Sequence, residues 1–336
     1  MKNRDSFSYY LMKYFSDFLP NQVAASIHTI HSYRDTFVQL MIFFKDIHGI
    51  LPEHISYEKL SADKIEEFLL WLETERHIGI KTRNQRLAAI HAFFRYIQYR
   101  DPAGFEQCSQ ILSIPFKKAP IQAVSYMTVE EMTALFALPN TGTPQGLRDL
   151  ALLTTLYESG SRVQELIDLS TSSIRLGKIN TLEVHGKGNK TRLVPINADV
   201  ARIVKRYMDL NGPKGSTEPL FVNRNGYKLT RSGIQYIIDK YVSAAQQEHP
   251  EMFRKKVTPH SFRHSKAMHL LESGVNLVYI RDFLGHTSVM TTEIYARTNP
   301  KIKEEQLSRN SKKITPGESY TVKEKDDLID WLKKNL

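Results

Sequence analysis

Cysteine is almost missing from this chain. A lone Cys108 among 336 residues can close no internal disulfide and build no cysteine zinc cluster. No apolar run reaches the length of a membrane span, so membrane partners are not expected. The N-terminus, MKNRDSFSYYLMKYF, has an acid at Asp5 and lacks both an uninterrupted apolar core and a small-residue cleavage site. No secretory signal is read there, and a cytoplasmic location is expected. Internal repeats and low-complexity segments are also missing. Acidic residues disappear locally: from Arg76 to Arg100 there are six basic side chains and no carboxylate.

What is present has a globular composition, with 41% hydrophobic and 24% charged residues. The length suits two domains, each able to bury its own core. The net charge of +10 is unevenly spread, since residues 1–115 carry 13 basic and 13 acidic groups whereas 116–300 carry 24 and 16. A polyanion is the economical partner for such a surface, although a charge run by itself more often marks only a solvated face.

Residues 1–115 read as a small helical bundle. Apolar stripes recur at helical spacing in SIHTIHSYRDTFVQLMIFFKDI (Ile30, Phe37, Leu40, Phe44), in SADKIEEFLLWLETER (Ile65, Phe68, Leu69, Leu72) and in TRNQRLAAIHAFFRYIQY (Leu87, Ile90, Phe94, Ile97). Thr82 is the expected N-cap of the last of these. It would place Arg83 and Arg86 near free backbone N–H groups beside Lys81, a setting suited to a DNA phosphate. Residues 116–127 read as a linker with Lys117 and Lys118, and residues 128–300 as a second domain. There Thr128 and Glu131 form a capping box, and Gly160 closes the apolar helix GLRDLALLTTLYESG. TLEVHGKGNKTRLVPI breaks the helical pattern and reads as a hairpin with Lys187 at or next to its tip and Lys190 and Arg192 behind it. Helical patterns then return. The expected fold is mainly α with a small antiparallel β-sheet in the C-terminal domain.

Two helix starts in this domain carry arginine. SGSRVQELIDL offers Ser161 as cap with Gln164 three residues on, which puts Arg162 in the first turn; TPHSFRH offers Thr258 as cap and Pro259 at the first helical position. His260 and Arg263, spaced i and i+3, share a helix face. Two guanidinium groups could converge on one phosphate. A metal site is the rival for His260 and His264, but Ser261 stands where a zinc helix of the HExxH kind needs glutamate. His264 and His269 read as packing or surface residues. Tyr295 lies nine residues after His286 and would serve as nucleophile if its proton were removed, the phosphate neutralised and the leaving alkoxide protonated.

In the order and approximate separation of the arginine in SGSRVQELIDL, the lysine in HGKGNKTRLVPI, the HSFRH pair, the LGH histidine and the TTEIYA tyrosine, the chain resembles the tyrosine recombinase (phage integrase) family. The resemblance spans nearly the whole sequence and is closest to the short Xer-like members without an arm-binding domain. It implies a two-domain DNA clamp, a 3′-phosphotyrosyl intermediate, and no need for metal or nucleotide. It also implies roles: Arg162 and Arg263 clamp the scissile phosphate, Tyr295 attacks, Lys187 protonates the leaving oxygen, His260 serves as acid or base, His286 donates to the phosphate, and Glu165 orients His260. Lys81, Arg83, Arg86, Lys117, Lys118, Lys190 and Arg192 are the candidate DNA-binding residues. The implied partners are double-stranded DNA with paired core sites and a homotetramer on it, with integration, excision or resolution as outcomes and a mobile element as one setting. A type IB topoisomerase-like relaxing activity and a noncatalytic DNA-binding regulator on the same fold are the alternatives. Beyond Tyr295 come 41 residues. Their last stretch, 301–336, holds an amphipathic helix that either folds back or docks on a neighbouring protomer.

Overall fold

The computed structural model describes residues 7–56, 59–101, 104–120, 125–186, 190–211 and 215–285, together with Thr292, Tyr295, Asp330, Lys333 and Lys334. It divides into two compact units, Met1–Gln122 and Ala123–Leu336. The first is helical: α1 (Phe7–Lys13) runs into a π-helical stretch (Tyr14–Gln22), followed by α2 (Ile27–His48), α3 (Ala62–Thr74), α4 (Ile80–Gln98) and α5 (Phe105–Leu112). Ser26 and Ser61 cap α2 and α3 by accepting hydrogen bonds from Thr29 N and Lys64 N. The apolar stripes of the sequence meet in one aromatic-rich core, where Phe37, Phe43, Phe68, Phe93 and Phe94 are almost wholly buried. Burial of such rings dominates the energetics of a domain this size.

One element differs from expectation. α4 begins after Gly79 rather than after Thr82, so Lys81 occupies the first turn and Arg83 the second. The Gly79 carbonyl accepts from Arg83 N at 3.0 Å, which leaves Arg83 without a helix N-terminus to share with an anion.

The second unit holds α6 (Val129–Ala137), α7 (Pro144–Ser159), α8 (Val163–Ile167), the strands β1 (Ile174–Arg175), β2 (Thr181–His185) and β3 (Thr191–Pro195), then α9 (Ala198–Leu210), α10 (Arg231–Glu248), α11 (Pro259–Glu272) and α12 (Leu277–Leu284). The strands form an antiparallel sheet in the order β1-β2-β3, with His185 opposite Thr191 at the closed end of the hairpin. Alternation along β2 and β3 buries Leu182, Val184 and Val194 on one face, as a half-covered antiparallel sheet requires. Both halves of the Thr128–Glu131 capping box are made, at 2.9 and 3.2 Å. α7 is buried along most of its length, with α9 and α11 both packed against it. Among the described residues no helix is long and apolar enough to cross a membrane.

Candidate active site

Three helix ends make the scaffold. α7 stops at Gly160 and α12 at Gly285, each in the left-handed region at φ +54° and +65°. The last carbonyls of a helix have no partner within it and carry the negative end of its dipole. Arg263, from the second turn of α11, answers both: Nη1 donates to Gly160 O at 2.6 Å and Nη2 to Leu284 O at 2.7 Å. Its side chain is 3% exposed. Burial, and then the charge of Arg162, lower its pKa to about 10, which still leaves it a cation at neutral pH. Gly160 is doubly constrained, since a Cβ there would sit 2.9 Å from the Phe283 ring and 3.0 Å from Leu284.

Arg162 is itself the N-cap of α8, in extended conformation, one residue later than the Ser161 cap expected from the sequence. The capping acid is therefore Glu165 rather than Gln164: its Oε2 accepts from Arg162 N at 2.9 Å and its Oε1 from Arg162 Nη1 at 2.7 Å. Arg192, arriving on β3, donates from Nη2 to Glu165 Oε2 at 2.7 Å. Burial opposes ionisation of this carboxyl, but the hydrogen bonds from Arg192 and the Arg162 N–H outweigh it and hold the pKa below the ordinary carboxylate value. Glu165 thus orients arginines. Among the described residues its side-chain bonds go to Arg162 and Arg192, not to His260 as expected.

His260 lies at the open rim of the site, yet surrounding protein and then Arg263 and Arg162 keep its pKa below the usual imidazole value. One helical turn on, His264 stacks beneath it with ring centres 6.3 Å apart. Tyr295 is 2% exposed among Ala267, Met268, Leu271, Ile280 and Leu284, and its Oη lies 2.9 Å from His264 Nδ1. Burial raises the phenol's pKa, while Arg263 and Arg162 draw it the other way. His264, read from the sequence as packing or surface, is the phenol's partner instead. No local signal distinguishes it, because Tyr295 lies 31 residues away. His269 is buried, with Nδ1 2.8 Å from Tyr157 Oη and Nε2 3.0 Å from Met127 O, a packing role as expected.

The remaining candidates divide. Lys187 and His286 lie outside the described residues, as does the tail helix apart from Asp330, Lys333 and Lys334. Arg83 is 6% exposed and donates to Pro115 O and Asn84 Oδ1, both at 3.3 Å. Arg86 bonds Ser32 O and Thr36 Oγ1. Both side chains that the sequence placed against DNA are drawn into their own domain, and Arg192 is likewise committed to Glu165. Lys117 is exposed but pairs with Glu73 at 2.6 Å, while Lys81, Lys118 and Lys190 are exposed.

Residues 125–301 match the phage integrase family and residues 12–100 the phage integrase N-terminal SAM-like domain. A Sinorhizobium fredii protein named as an integrase or recombinase, y4rC, is 35% identical over 322 residues, covering 96% of each chain. The tyrosine recombinase XerC of Roseiflexus castenholzii is 32% identical, covering 82% of this chain and 84% of that one. Among solved structures, the post-cleavage complex of the XerH site-specific recombinase on palindromic difH substrate superposes with a TM-score of 0.68 at 22% identity, over 85% of this chain and 80% of that one. A lambda integrase dimer bound to a core site gives 0.63 at 16% identity, over 92% and 80%. Two family domains matched in order, and relatives a third identical over most of their length, place the chain in the phage integrase family of tyrosine recombinases.

Proposed function

We propose that this recombinase cuts and rejoins double-stranded DNA at paired core sites through a 3′-phosphotyrosyl link to Tyr295, working as a homotetramer. The observation that carries the reading is that three separate stretches of chain meet at Arg263, which bonds the carbonyl of Gly160, two residues before Arg162, and that of Leu284, in whose apolar cluster Tyr295 lies. Two guanidinium groups supply what a phosphorane-like transition state needs, fixed positive charge and forked donors placed before the charge develops. Arg263 has further N–H donors beyond the two spent on carbonyls. Tyr295 Oη attacks phosphorus, and the 5′-oxygen leaves with a proton from Lys187. His260 at the rim and His286 serve as proton-transfer and phosphate-donor groups. The phosphodiester's energy is kept in the phosphotyrosyl bond, so rejoining requires no nucleotide.

Tyr295 and Arg263 are both covered in the free chain, so engagement of DNA has to uncover them. That coupling is part of the proposal, because a nucleophile exposed only on its substrate spares unrelated DNA. The exposed cations Lys81, Lys118 and Lys190 serve the DNA backbone. Integration, excision and resolution share this chemistry, and a mobile element acted on in the cytoplasm is one setting for it. The test is a pair of plasmids carrying two cognate sites or one. Exchange between paired sites that is lost in Tyr295→Phe supports the reading. Relaxation of supercoils at single sites without exchange would make the protein a topoisomerase-like enzyme, and neither activity would leave a DNA-binding regulator.

A further inference from the structure

His264 carries none of the roles proposed above, yet it is the residue that meets the phenol. A buried tyrosine hydroxyl needs a polar partner, and the apolar side chains clustered with Tyr295, Ala267, Met268, Leu271, Ile280 and Leu284, cannot supply one. The two groups are 2.9 Å apart, with their rings edge to face at 61°. We propose that His264 is the positioning residue for Tyr295: Nδ1 of a neutral imidazole accepts the phenolic hydrogen bond and fixes the attacking oxygen relative to Arg263. The inference rests on the reading of Tyr295 as the nucleophile.

Three features support it. Arg263 and His264 are consecutive on α11, so one rigid turn sets both the guanidinium and the phenol's acceptor. Arg263 is itself locked by two helix-end carbonyls, which prevents that turn from drifting. Burial, then His260 and Arg263, lower the His264 pKa to about 4, so at neutral pH the ring remains an acceptor. The proton then sits on Nε2.

The test uses the full chain with 3-fluorotyrosine at position 295, read by fluorine NMR without DNA, beside cleavage of a nicked suicide substrate. His264→Phe keeps a flat ring but offers no acceptor; His264→Asn places an amide oxygen near the Nδ1 position. His264→Phe should bind DNA normally, cleave about tenfold slower, the equivalent of one hydrogen bond removed from the transition state, and shift the fluorine resonance. His264→Asn should recover most of the rate and the original resonance. Should His264→Phe fail to fold, His264→Gln, whose amide reaches the Nε2 position, takes its place with the same slow cleavage expected. Cleavage at the wild-type rate without an acceptor, or equal slowing in the Phe and Asn variants, would overturn the assignment. A wild-type protein that forms no adduct would instead remove the recombinase reading, while the fluorine comparison still decides whether His264 holds the phenol.

Discussion

Replacing Glu165 by glutamine removes one charge from the centre of the site without changing its shape. The carboxylate is 6% exposed and holds Arg192, whose side chain is 13% exposed, at 2.7 Å. Its other ion pair, to Arg162, is 36% exposed on the arginine side, so water screens it and it adds little. Breaking a buried pair by neutralising one partner costs about 3–5 kcal/mol, chiefly because the other charge is left uncompensated. A glutamine oxygen still accepts one arginine N–H, which returns about 1 kcal/mol. The expected loss is thus about 2–4 kcal/mol, or roughly 4–16 °C for a unit of this size. Calorimetry of the full chain at neutral pH, following the transition of the second unit, measures it. The pH dependence gives a second handle. A carboxyl held below its ordinary value of 4.5 contributes its full stability above that pH and loses it as pH falls through the folded-state pKa. Wild type and variant should therefore converge in acid. A shift below about 1 °C at neutral pH, or a gap unchanged in acid, refutes the reasoning.

Other changes separate structure from DNA binding. Gly160→Ala forces a left-handed alanine against Phe283 and Leu284 and should cost about 2–3 kcal/mol by urea unfolding; a neutral result would mean that the α7 terminus can rearrange. Lys81→Ala with Lys118→Ala should lower the slope of log K against log salt by about 0.9 for each phosphate no longer neutralised, as gel-shift titrations would show. Arg83→Ala should do the reverse. It should destabilise the first unit by about 2 kcal/mol, through poorer packing and removal of the bond to Pro115 O, and leave the salt slope unchanged.

These contrasts show where the sequence was readable. Local chemistry was: Thr128 and Glu131, Gly160 and the hairpin flanks all satisfy their own backbone within a few residues, so spacing suffices to find them. Thr82 and Ser161 were misleading because capping candidates stood within three residues of the true starts, at Gly79 and Arg162. Nothing local chooses Glu165 over Gln164; the added charge is Arg192, which arrives on β3 from 27 residues away. Arg83 faces inward for a similar reason, since its acceptor at Pro115 is 32 residues distant. Pro20 and a polar start interrupt the apolar pattern of the first helical stretch, Phe7–Gln22, although Phe7 and Tyr14 are among the most buried side chains. The pairing of His264 with Tyr295 belongs to this class too. A histidine's partner is set by the fold, and the sequence supplied only the residue.

The central claim is that Tyr295 attacks DNA, and one measurement addresses it directly. Wild-type protein trapped on a nicked suicide substrate is digested with trypsin and the nucleotide-bearing peptide identified by mass spectrometry. Tyr295 lies in the peptide from Asp282 to Arg297, and the strongly exposed Tyr279 in the one from Ala267 to Arg281, so the two tyrosines cannot be confused. The account predicts the adduct on the former peptide, at Tyr295, and none at all from Tyr295→Phe bound to the same DNA. An adduct on the peptide carrying Tyr279, or one that persists in Tyr295→Phe, would contradict it.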